Sequence, residues 1–267
     1  MVKRLSLFIL LLWAALAILG GLLPLAPDVI RLEKILHGPD TAEWLGYDDL
    51  GRSLLDRLVI GAQTSFLVAL WVVTLSLVVG ATIGALSGYV GGWIDHLVVR
   101  IIDVLLAFPG ILLAIALAGI LGPGIDNVII ALSVVGWVGF ARLARGQVLS
   151  HKQREHVLAA IALGAGRTRV VFVHLLPMIA APLIVEATFA IAGVVISEAG
   201  LSFLGLGVQP PAASWGSMIQ EGARYMLVAP HMVVVPGLAL MAVVLAVNLT
   251  GDRLRDWIDV KTRDRRS

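Results

Sequence analysis

Long apolar runs separated by short polar stretches dominate the chain. Leu5 to Leu25 is the first, Phe66 to Tyr89 the second and Ile101 to Leu121 the third. Val128 to Phe140 is the fourth and continues to Val148, with Arg142 and Arg145 in its last turns. Val170 to Ala199 is the fifth and longest, and Val233 to Leu249 the sixth. A helix needs about 20 apolar residues to cross the hydrocarbon core. The pattern therefore predicts six transmembrane helices and an all-α integral membrane protein. Glycine and proline inside such runs are tolerated better in a membrane than in water. Lys3 and Arg4 precede the first run, as they would in a cleaved leader. That run is longer than a leader's apolar core and no small-x-small site follows it, so a retained first helix is expected.

Composition agrees. The chain has 267 residues, of which 59% are hydrophobic and 14% charged. A soluble domain carries about a quarter charged residues. With no cysteine there is no disulfide framework, thiolate metal site or cysteine nucleophile. A net charge of +2 gives no sign of nucleic acid. The placement of the basic residues says more. With the N-terminus inside, the cytoplasmic segments receive Lys3, Arg4, Arg100, Arg142, Arg145, Lys152, Arg154, Arg167, Arg169, Arg253, Arg255, Lys261, Arg263, Arg265 and Arg266. That leaves Arg31, Lys34, Arg52, Arg57 and Arg224 outside. The positive-inside rule thus places both termini in the cytoplasm.

Two outer segments, 26–65 and 200–232, are too long for simple turns, and long loops position ligands or partners. The cytoplasmic stretch Glu155 to Arg169 is the richest in small residues. Leu158, Ile161, Ala162 and Ala165 recur at i, i+3, i+4 and i+7. Ala160 and Gly164 leave one face nearly bare, and Gly164 and Gly166 supply a helix stop. On this pattern alone the stretch is either a surface turn or a helix offered to a partner.

Titratable residues give open readings. Glu186 and Glu198 lie inside the fifth run, where a carboxylate lines a path or bonds a neighbouring helix. Arg100 and Asp103, at i and i+3, are expected to pair. His151 and His156 are five apart and point to different sides of a helix, so no zinc pair is expected. No catalytic or metal-ligating set is evident. A proton-coupled secondary transporter using Glu186 and Glu198 is an alternative, but no internal repeat supports it. An intramembrane enzyme lacks a convergent nucleophile and base.

The cytoplasmic stretch resembles the signature of ABC-importer permeases: Glu-Ala-Ala, three residues, Gly, nine residues, Ile, one residue, Leu-Pro. Ala159, Ala160, Gly164, Leu176 and Pro177 stand at those spacings, while Leu158 replaces the Glu and His174 the Ile. Trp44 to Leu58 is similar to the outer-loop signature of the second permease in peptide and nickel importers, with Tyr47 for its Thr and Ser53 for its second Asp. Ala199 to Pro211 followed by Trp215-Gly216, and Asn248 to Asp259, resemble two further blocks. The resemblance is to the dipeptide, oligopeptide and nickel branch.

It implies a type I importer permease fold. Residues 1–25 would be a first helix, 26–65 an outer loop, 66–250 the transmembrane core and 251–267 a cytoplasmic tail. Within the core, a coupling helix at about 153–168 would use Arg154, Glu155, Ala159, Ala160, Gly164, Leu176 and Pro177. Implied partners are a second homologous permease, two ATP-binding subunits that hold ATP and Mg, and an extracytoplasmic substrate-binding protein, in a bacterial or archaeal inner membrane. This chain has no Gly-x-x-x-x-Gly-Lys-Ser/Thr loop and would hold no cofactor. Implied cargo is a peptide, nickel or a metal chelate. The short N-terminus leans toward the nickel type.

Overall fold

A computed structural model describes residues 2–41 and 43–264, whose regular elements are helices. In order these are α1 (Val2–Leu19), α2 (Leu54–Val90), α3 (Gly92–Leu106), α4 (Gly110–Leu121), α5 (Ile125–His151) and α6 (Glu155–Ala162). A short α7 (Arg167–Arg169) passes through one π-helical stretch, Val170–Leu175, into α8 (Leu176–Phe203). Then come α9 (Trp215–Ala223) and α10 (His231–Asp264). Of the basic residues counted at the two ends, the side chains of Lys3, Lys261, Arg263, Arg265 and Arg266 lie outside the described set.

Among the described residues, five helices are long and apolar enough to span a membrane, or six if one bent pair counts as a span. The bent pair is the third predicted run. Instead of one helix it forms α3 and α4, at 87° to each other. The break falls at Phe108-Pro109. Proline offers no N–H and pushes the preceding residue out of the helical region. A second departure is the start of α2, twelve residues before the apolar run begins. Ser53 caps it, its Oγ accepting from the Asp56 N–H at 3.1 Å. Ser53-x-x-Asp56 is a capping signature that the hydrophobic pattern does not reveal.

The chain divides into two compact units. The first comprises Met1–Trp71, Ile115–Ala131 and Ile191–Thr250. Trp13 anchors its core, meeting Phe66 edge-on at 5.2 Å and Trp215 at 6.3 Å. Its indole N–H donates to the Ala62 carbonyl at 3.1 Å, so the one polar atom of a buried ring is satisfied.

The second unit comprises Val72–Ala114, Leu132–Ala190 and Gly251–Ser267. Here α2 lays Gly80, Gly84 and Gly88 along α5. A Cβ at Gly80 or Gly84 would strike the carbonyl of Trp137 or Ala141, and one at Gly88 would lie 3.0 Å from the Arg145 carbonyl. Small residues four apart allow two backbones this close an approach. Gly84→Leu is therefore expected to cost about 1–3 kcal/mol, because the obstacle is backbone and does not yield. Thermal unfolding in detergent would show it. Gly146→Leu, where no atom lies within 4 Å, should leave the midpoint unchanged. On α3, Val98, Ile102 and Leu105 pack against Trp137, Val138 and Ala141. Arg100 and Asp103 are exposed and do not form the expected pair.

Candidate functional site

Helix α6 is short, and Val157 is fully buried in it while most other residues are exposed. Leu158 is 51% exposed, Ile161 42% and, just past the helix, Leu163 89%. The expected apolar stripe is thus turned away from this chain. Val157, which the stripe reading passes over, is the anchor. Arg154 occupies the N-cap with extended backbone, and Glu155 places a negative charge in the first turn, where the helix dipole favours it.

Gly164 ends the helix. Its φ is +88°, its N–H donates to the Ile161 carbonyl at 2.9 Å, and the Ala165 N–H donates to Ala160 at 3.0 Å. This is a Schellman closure, which requires the left-handed conformation that glycine adopts without strain. Beside it lies a hollow of about 260 Å³ lined by Ala160, Leu163, Gly164, Ala165, Arg169 and His174. Ala159 is exposed, and Leu176 and Pro177 open α8 beyond the π-helical stretch. Proline in a first helical turn loses no intrahelical bond.

One ion pair and several hydrogen bonds brace the elements that lead into α6. Arg145 grips Asp95 with two bonds of 2.6 and 2.7 Å, and Ser87 donates to the same carboxylate at 2.6 Å. Lys152, three residues before Glu155, donates to the Gly88 carbonyl at 3.1 Å, near the end of α2. His156 meets the Met178 sulfur at 2.9 Å, while His151 bonds within its own turn of α5.

The two carboxylates of the fifth run have unlike surroundings. Glu198 is 1% exposed and enclosed, accepting from Ser65 at 3.1 Å and Ser202 at 2.7 Å. Glu186 is exposed and borders a cavity.

Asp48, Asp49, Arg52 and Arg57 of the Trp44–Leu58 block form a charged cluster in the first unit with Glu221, a pairing that the sequence reading does not single out. Arg57 is 1% exposed, and its Nη2 donates to Glu221 at 2.7 Å. Its Nε lies 3.4 Å from Asp48, which accepts from Arg52 Nε at 2.6 Å. Arg52 also reaches Glu221 at 3.3 Å. Asp48, Asp49 and Glu221 lie close enough to hold a cation, but the two arginines already supply the countercharge. Burial pushes the Glu221 carboxyl above its ordinary value, against the pull of Arg57 and Arg52. An arginine just inside an apolar helix is the signal that could have revealed this cluster.

Comparison with known proteins agrees with this architecture. Residues 80–264 match the family described as binding-protein-dependent transport system inner membrane component. The dipeptide transport system permease protein of Alkalihalophilus pseudofirmus is 44% identical over 228 residues, covering 85% of this chain and 75% of that one. The glutathione transport system permease protein of Pectobacterium atrosepticum is 41% identical over 259 residues, covering 97% and 86%. A chain of the inward-facing MetNI methionine ABC transporter superposes with a TM-score of 0.61 at 21% identity, over 76% of this chain and 97% of that one. The fold is that of a type I ABC importer permease. With its apolar helices and these relatives, the chain belongs to the family of multi-pass inner-membrane components of binding-protein-dependent transport systems.

Proposed function

We propose that the chain forms half of the path of an ATP-driven importer for short peptides, glutathione among them. A second, homologous permease completes the path. An extracytoplasmic binding protein delivers cargo, and two ATP-binding subunits hold ATP and Mg on the cytoplasmic side, where both termini of this chain lie. As a permease subunit the chain has no ATPase site of its own. The observation that carries the reading is α6, a helix held by one buried valine and presenting Leu158, Ile161 and Leu163 outward. Apolar side chains on a loop helix, next to a bare Ala159–Ala160 surface, suit the groove of a partner.

Closure of the ATP-binding subunits would carry α6 with them and rock the attached spans, since ATP binds the closed state more tightly. The relatives named for dipeptide and glutathione favour peptide over nickel. A proton-coupled mechanism has less support, because serine hydroxyls already engage Glu198.

Affinity purification of a tagged chain expressed with its companions tests the proposal. A second permease and an ATPase should co-elute, and proteoliposomes of the complex should take up peptide only with ATP and the binding protein. A chain that purifies alone and moves peptide along a proton gradient would refute it.

A further inference from the structure

Glu186 lies close to the middle of the span Arg167–Phe203, and its side chain is exposed on the surface of the chain. This 37-residue span is longer than the hydrocarbon core requires, and Glu186 shares its surroundings with Arg255 of the cytoplasmic set, so within the membrane it falls toward the cytoplasmic end. It borders a cavity of about 530 Å³ within the second unit, a volume in the ordinary range for small-ligand sites. Gln147 and His151 of α5 and Arg255 of α10 supply the other polar groups, over an apolar wall that includes Val185 and Phe189.

The chemistry of this cavity is two-signed. An ionised Glu186 only accepts hydrogen bonds, and Arg255 only donates. A bare metal cation would be drawn to Glu186 and repelled by Arg255. A ligand with an ammonium group at one end and a carboxylate at the other satisfies both. We propose that this cavity is a station for short zwitterionic peptides within the permease, Glu186 taking the α-ammonium and Arg255 the α-carboxylate, with Phe189 beside the peptide's side chains. The inference rests on the peptide reading above. A station on a transport path must hold cargo weakly enough to release it. Glu198, enclosed by serines, offers no comparable opening.

The test uses the complete complex without its binding protein, in nanodiscs free of phosphatidylethanolamine, because that lipid's headgroup carries the same two charges. Equilibrium binding of radiolabelled dialanine is compared with N-acetyl-dialanine and dialanine amide. In the unaltered complex, each blocked end should weaken binding about tenfold, or roughly 1.4 kcal/mol. Glu186→Gln should erase the difference between free and acetylated peptide while keeping that between free and amidated peptide. Arg255→Gln should do the reverse, and Glu186→Asp should retain both. A variant that is merely destabilised would not produce this crossed pattern. Equal binding of all three peptides by the unaltered complex, or amino-group discrimination that survives in Glu186→Gln, would overturn the inference. So would a headgroup site, seen as complete loss of dialanine binding when phosphatidylethanolamine is restored. Uptake by the full transporter with its binding protein separates the two claims. If the unaltered transporter imports no peptide, the peptide reading falls and takes the station with it. If it imports peptide without the crossed pattern, the station alone falls.

Discussion

Arg57→Met is expected to destabilise the chain by about 3–5 kcal/mol, the usual result of removing one partner from a buried charge network. The side chain is 1% exposed and joins Glu221 of α9 to Asp48 of the segment before α2. Without it Arg52 alone faces Asp48, Asp49 and Glu221, and the cluster's net charge passes from −1 to −2. Methionine fills much of the space but cancels none of that charge. The midpoint of thermal unfolding in detergent reports the loss. Adding Glu221→Gln should restore part of it, so the double variant should be more stable than the sum of the single losses implies. The effect should also depend on pH. Burial already raises the Glu221 carboxyl above its ordinary value, and loss of Arg57 raises it further. A raised carboxyl penalises the folded state fully above its folded pKa, and the penalty fades as pH falls through that value toward the unfolded one. The deficit of Arg57→Met should therefore shrink in acid. A deficit independent of pH would mean that lost packing, not stranded charge, is the cause.

How far the sequence leads depends on what each feature needs from its neighbours. Apolar run length reflects transfer into the membrane, a property of each segment alone, so the spans are legible. Phe108-Pro109 could have been read as a break, yet its 87° angle depends on what α3 and α4 pack against. The early start of α2 hides behind Asp56 and Arg57, which look like loop residues until Ser53 is seen to cap the Asp56 N–H and Glu221 to accept from Arg57. In the candidate site, the stop at Gly164 and the small residues before it follow from local backbone chemistry. Which face of α6 is anchored does not. The stripe Leu158–Ile161–Ala162–Ala165 marks an amphipathic helix without saying which way it faces, and the buried residue of α6 is Val157. A short amphipathic helix has the same period whether its apolar side meets its own chain or another. Glu186 and Glu198 are alike in sequence and differ in what the fold puts around them, a cavity for one and serines for the other.

That ambiguity is what makes the docking proposal testable. Leu163→Asp and Ala159→Trp alter side chains that this chain leaves exposed, so neither should change its thermal unfolding or its level in the membrane. Under the docking proposal, both alter the surface offered to an ATP-binding subunit. A charge or an indole at the centre of a small interface costs about 2–4 kcal/mol, roughly a 30- to 1,000-fold loss of affinity. ATP-dependent peptide uptake should fall accordingly, and the ATPase should be lost from the purified complex. Val157→Ala should behave in the opposite way. It removes the buried anchor, lowers the unfolding midpoint and leaves the docking surface chemically intact. Gly164 separates backbone from surface at one position. Gly164→Asn tolerates the positive φ and should retain most uptake, whereas Gly164→Val is strained there whatever the space around it. If Leu163→Asp and Ala159→Trp import peptide at the unaltered rate with the ATPase still bound, α6 is a surface turn and the energy of ATP enters the chain elsewhere.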